Sequence, residues 1–119
     1  DLTHFQGLLL EKRAEIVGDV DAMEQARAMA NGGEISHMPL HMADVGSDMY
    51  DQEFTLGLME SERRVIREID EALGRIANGT YGVCLESAQP IPKARLEIKP
   101  WAKFTIEVAR ERERRGLTT

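Results

Sequence analysis

The chain has 119 residues and a formal net charge of −6, a length that allows one domain, or one extended element with a small globular part, and excludes two full cores. Hydrophobic residues make up 42%, charged residues 30% and aromatics only 5%, a balance that points to thin aliphatic packing between long helices and away from a bulky core. Cys84 as the single cysteine excludes an intrachain disulfide, and neither a basic-then-apolar leader nor a run of about 18 apolar residues is present, so a cytoplasmic location without membrane association is expected.

From Phe5 to Ala30 there is no proline, and apolar residues fall at Phe5, Leu8, Leu9, Ile16, Val20, Met23 and Ala30, mostly three, four or seven apart. This spacing predicts one long amphipathic helix. Asn31-Gly32-Gly33 ends it, Pro39 delays a restart, and residues 31–43 read as a connector. Helical periodicity returns from about Asp44 or Ser47, with Phe54, Leu58, Val65, Ile69, Leu73 and Ile76 on one stripe, and Asn78-Gly79 closes it. Two such helices joined by a short loop bury their stripes most economically as an antiparallel coiled-coil hairpin over residues 1–78. Lys12, Gly18, Gly57 and Glu62 interrupt the stripes, and Met49, Tyr50, Leu56, Met59 and Ile66 are spare apolar residues for a third element or a second copy, which leaves a homodimer open.

After Gly79 the texture changes. Thr80-Tyr81-Gly82-Val83-Cys84 and Gln89-Pro90-Ile91-Pro92, then Leu96, Ile98 and Pro100-Trp101, predict short turns and strand-like pieces, and the residues from Trp101 lead into a short terminal helix. Residues 79–119 therefore read as a small second unit. The fold class expected is mainly α. Arg110, Arg112, Arg114 and Arg115 read as a solvated helix end, where positive charge also suits the C-terminal dipole.

Charge is unevenly spread: residues 1–90 carry 7 basic and 17 acidic groups, and residues 91–119 carry 8 and 4. An acidic body of this size is repelled by a phosphate backbone, so sequence-independent nucleic-acid binding through the whole surface is not expected, while the basic tail alone could still touch nucleic acid; sequence-specific reading of DNA is not expected either. Residues 34–62 hold seven acids and no lysine or arginine. His37 and His41 beside Asp44 and Asp48 would need a helical register that Pro39 breaks, so they are not read as a metal site. With no Ser/His/Asp set, phosphate loop or carboxylate cleft, the chain is not expected to be an enzyme and needs no cofactor.

The stretch Ile69-Asp70-Glu71-Ala72-Leu73-Gly74-Arg75-Ile76-Ala77-Asn78-Gly79-Thr80-Tyr81-Gly82-Val83-Cys84 resembles the entry to the zinc finger of the DksA/TraR family, a helix ending A-L-x-R-I followed by G-x-Y-G-x-C. Ile91-Pro92, Ala94-Arg95-Leu96-Glu97 and Pro100-Trp101-Ala102-Lys103-Phe104 continue the resemblance, as do Ala43-Asp44-Val45 and Glu53 to Leu58 upstream. It covers about residues 41–110. The family's two C-x-x-C pairs fall on Cys84, Ser87, Thr105 and Val108, so only one position keeps a thiol. Zinc needs about four thiolate or imidazole ligands. The resemblance therefore implies a degenerate, zinc-less finger in which Val83, Trp101, Phe104, Thr105, Ile106 and Val108 form an apolar plug and Cys84 is a small buried hydrophobe.

The same resemblance implies binding to bacterial RNA polymerase through its secondary channel, with the coiled-coil tip and its acids Asp44, Asp48 and Asp51 as the contact. The family's tip reads D-x-x-D-x-A, and the nearest match here is Asp44-Val45-Gly46-Ser47-Asp48-Met49, with the second acid displaced by one residue and no alanine. An alternative is a coiled-coil interaction or scaffold protein of the same fold that no longer acts on the polymerase.

Overall fold

The computed structural model describes the backbone of residues 1–31 and 44–119, and the side chains of residues 1–29 and 52–119. Four helices follow in order: α1 (Leu2–Asn31), α2 (Asp44–Asn78), α3 (Lys93–Ile98) and α4 (Ile106–Arg114). Among the described residues the only strand-like pairing is an isolated antiparallel bridge between Val83 and Pro90. The fold is thus a mainly α helical hairpin with a small C-terminal subdomain. Residues 32–43 of the expected connector, with His37, His41, Met38 and Met42, lie outside the described residues.

The chain forms two compact units, one of residues 1–13 and 67–119, the other of residues 14–66. In the second unit Ile16, Val20 and Met59 are buried, and Arg63 Nη2 meets Glu24 Oε1 at 2.7 Å across the helix pair. This corrects the phase expected for the first half of α2. Phe54 is 67% and Leu58 40% exposed, whereas Met59, taken as spare, is 2% exposed. The apolar residues of this stretch occupy two overlapping helical phases, and the one containing Met59 and half-buried Ile66 continues to Ile69 and Ala72, which the first unit buries completely.

In the first unit Leu9, Ile69 and Ala72 are fully buried, and Arg13 Nε donates to Asp70 Oδ1 at 2.7 Å beside them. A larger cluster joins Phe5 of α1 to Cys84, Ile91, Leu96, Phe104 and Ala109, with Tyr81 packed against it. The start of α1 is also held to α3, by an ion pair of Lys93 with Asp1 and by a hydrogen bond between His4 Nε2 and Glu97 at 2.7 Å.

Residues 93–98 form a helix where strand-like pieces were expected. Pro92 opens it, because a proline has no N–H to leave unpaired at a helix start, and its carbonyl accepts from Arg95 at 3.0 Å and Leu96 at 3.2 Å. Only Leu96 of this helix is buried, and Ile98 is 85% exposed. α4 begins at the N-cap Thr105, whose hydroxyl oxygen accepts from the N–H of Val108, and carries Glu107 in its first turn. It ends in a Schellman turn: Leu117 N–H reaches Arg112 O at 2.7 Å, and Gly116 N–H reaches Glu113 O at 3.0 Å. Gly116 adopts φ +75, which L side chains rarely take.

Candidate functional site

The two segments that would carry the ligands of a zinc finger are adjacent in the first unit. Gly82, at φ +87, turns the chain so that its carbonyl accepts from Ile91 at 2.8 Å, and Cys84 N–H then pairs with Gln89 O at 2.8 Å. Residues 84–88 form a tight knuckle closed by Ala88 N–H to Cys84 O at 3.0 Å, and Leu85 N–H to Lys103 O at 2.9 Å ties it to the chain just before α4. Ala88 itself sits at φ 61, the left-handed region that alanine avoids.

Each of the four ligand positions has a local role. Cys84 is 2% exposed, and its Sγ accepts from the N–H of Ser87 at 3.5 Å. Burial pushes its thiol up, but hydrogen bonds from the side chain and backbone of Ser87 and from the backbone of Thr105 and Glu86 outweigh it and hold the pKa at about 7, below the ordinary 9.0. The Ser87 hydroxyl oxygen also accepts from Gln89 N–H at 3.4 Å. Thr105, 7% exposed, caps α4, and Val108 packs against the cluster that contains Cys84.

One thiol, two hydroxyls already used as hydrogen-bond acceptors and an isopropyl group do not fit a tetrahedral zinc ion. Among the described residues no group of three or more His, Cys, Asp or Glu side chains gathers as a metal site. The core beside these positions differs from the expected plug. Phe104 and Thr105 are buried and Val108 packs on the cluster, while Val83 and Ile106 are 41% and 38% exposed; Ile91, Leu96, Ala102 and Ala109 fill the space instead. Val83 alternates with inward Cys84 along an extended stretch, and Ile106 takes the outer side of the first turn of α4.

Tyr81 packs against the cluster that contains Cys84: its hydroxyl donates to Pro100 O at 2.6 Å, and burial pushes its pKa up to about 12, so it stays a donor. Beside it, burial lowers the pKa of Arg75, with Glu71 and Glu68 opposing. Arg112 was expected to be solvated and is not. Its guanidinium stacks on Phe104 and meets Glu86, a relation that no local spacing encodes because the partners lie eight and 26 residues away. The backbone of Asp44, Asp48 and Asp51 belongs to α2, but their side chains lie outside the described residues.

A pair of long helices followed by a two-segment knuckle packed on a short terminal helix defines a helical protein with a finger-like C-terminal unit. Residues 79–114 match the prokaryotic dksA/traR C4-type zinc finger family. The transcription factor DksA2 from Pseudomonas aeruginosa superposes with a TM-score of 0.77 at 32% identity, covering 97% of this chain and 84% of that one. An uncharacterized protein of Aquifex aeolicus is 36% identical over 110 residues, 92% of this chain and 74% of its own length. The RNA polymerase-binding transcription factor DksA of Caulobacter vibrioides is 39% identical over 74 residues, and the match spans about half, 52%, of that protein. The chain belongs to the DksA/TraR family of transcription regulators. Among the described residues no helix is long and apolar enough to cross a membrane.

Proposed function

We propose that this chain regulates transcription by binding RNA polymerase directly, reaching into its secondary channel with the acid-rich end of the helix pair. The observation that carries this reading is the likeness to DksA2 along 97% of the chain, which includes both long helices as well as the finger. Residues 1–78 act in this reading as the reaching arm and residues 79–119 as its anchor. The seven acids of residues 34–62, with Asp44, Asp48 and Asp51 among them, supply the charge that enters a positively lined channel. Phe54 and Leu58, exposed one helical turn apart on α2, offer apolar contact beside them.

The finger works without zinc, its knuckle held by hydrogen bonds to the Cys84 sulfur and by the apolar cluster. The protein acts by contact, not by catalysis, in the cytoplasm, and does not read promoter sequence. A pull-down with purified RNA polymerase tests the reading, repeated with Asp44→Asn and Asp48→Asn together. Retention of the parent chain and loss by the double variant are expected. No retention of the parent would leave the second reading, a coiled-coil interaction protein, for which the displaced tip acid Asp48 speaks.

A further inference from the structure

We propose that Arg112 is a clamp that joins the two halves of the finger, taking over the cross-linking that a bound ion would provide. The proposal rests on the reading that positions 84, 87, 105 and 108 hold no zinc. Two of those positions lie in the knuckle and two at the start of α4, so an ion there would tie exactly two stretches of chain; Arg112 ties the same two. Its Nη1 lies 3.4 Å from Glu86 Oε1 in the knuckle, and its Cζ lies 4.5 Å from the centroid of the Phe104 ring, just before Thr105. Its Nε donates to Thr118 O at 2.8 Å, which adds the terminal tail as a third stretch.

A guanidinium suits this task because it is flat and carries donors only in its plane. One face stacks on an aromatic ring while the edge donates to a carboxylate and a carbonyl. An exposed pair at 3.4 Å would by itself contribute little. Here a side chain that is 22% exposed makes three contacts, so the entropy of ordering it is shared among them. Lys103 Nζ, 5.9 Å from the same ring, adds a second cation near Phe104. The neighbouring arginines differ. Arg114 pairs with Glu111 of its own helix, and Arg110 is exposed with no partner among the described residues. The Schellman turn after α4 holds the tail where Thr118 can be reached.

Cys84 is the reporter, because it is buried in the knuckle that the clamp holds shut. Its rate of reaction with an aromatic disulfide, under conditions where circular dichroism shows unchanged helix content, measures opening of the knuckle. Arg112→Met, which keeps the length and loses the plane and charge, is expected to speed labelling by about tenfold or more. Arg110→Met should leave the rate as in the parent. A folded Arg112→Met chain that labels at the parent rate overturns the clamp. Should that variant not fold, Arg112→Lys and Glu86→Gln decide in its place: faster labelling supports the clamp and an unchanged rate overturns it. Zinc analysis of the same samples separates the two readings. Stoichiometric zinc overturns the metal-free finger and the clamp with it, whereas zinc-free protein with unchanged labelling overturns the clamp alone.

Discussion

The backbone N–H of Ser87 points at the sulfur of Cys84 across 3.5 Å and the Ser87 side chain adds a further hydrogen bond, so a position that would hold a second thiolate in a zinc finger instead offers a hydroxyl to the first. The thiol titrates at about 7 in the folded chain against 9.0 ordinarily. A group whose folded pKa is lowered adds stability that is fully present above its unfolded value and is lost as pH falls through the folded one. Compared with Cys84→Ala, the parent should therefore gain stability as pH rises from about 7 to 9, by on the order of 2 kcal/mol. Denaturant unfolding of both chains under reducing conditions across this range measures it. Parallel pH profiles would contradict the donor arrangement.

Ala88 holds a left-handed backbone at φ 61 to close the knuckle onto Cys84 O. Glycine takes this conformation without the clash that a Cβ makes with the carbonyl oxygen. Ala88→Gly should raise stability by about 1 kcal/mol, the relief of that strain less the added freedom of the unfolded chain. An increase in thermal midpoint with unchanged circular dichroism is the expected outcome.

The packed face of α2 is tested by two substitutions five positions apart. Met59→Ala should cost about 2 to 5 kcal/mol, because the side chain is 2% exposed and leaves a cavity. Phe54→Ala should change stability by less than about 0.5 kcal/mol, since its ring is 67% exposed. Equal losses would restore the phase first read from the sequence, and weakened polymerase retention by the folded Phe54→Ala chain would add Phe54 to the contact surface.

Chelation gives the plainest check on the finger. A structural zinc contributes on the order of 10 kcal/mol to folding where its ligands are complete, so removing it from such a site unfolds the unit. Here a strong chelator should leave the unfolding curve unchanged, read by the fluorescence of Trp101, the single tryptophan. A downward shift of the midpoint would show a metal that the donor set does not explain.

The long helices were legible because their ends are written in strong local signals: Asn31 before two glycines ends α1, and Asn78-Gly79 ends α2. The inward face of α2 near residue 54 was not, because two apolar phases compete there and only burial in the unit that also buries Ile16 and Val20 selects Met59. The four ligand positions were found through family resemblance, and their present roles follow from geometry. Thr105, a lost ligand and plug residue by sequence, is a helix cap, and Ser87, a lost ligand by sequence, donates its N–H to sulfur. Arg112 looked like any charge in a run of arginines. Its neighbours Phe104 and Glu86 become neighbours only when the knuckle folds against α4, which no periodicity announces.

Phe5, near one end of the sequence, is 5% exposed in the same cluster as Ala109, near the other. The finger is therefore completed by residues that lie far apart in the sequence. The opening turn of α1 has no core to enter until α4 is in place, so this contact of long sequence separation is closed at the cost of a long loop. The first turn of α1 and the helix α4 thereby share one core, and removing either leaves the other without part of it.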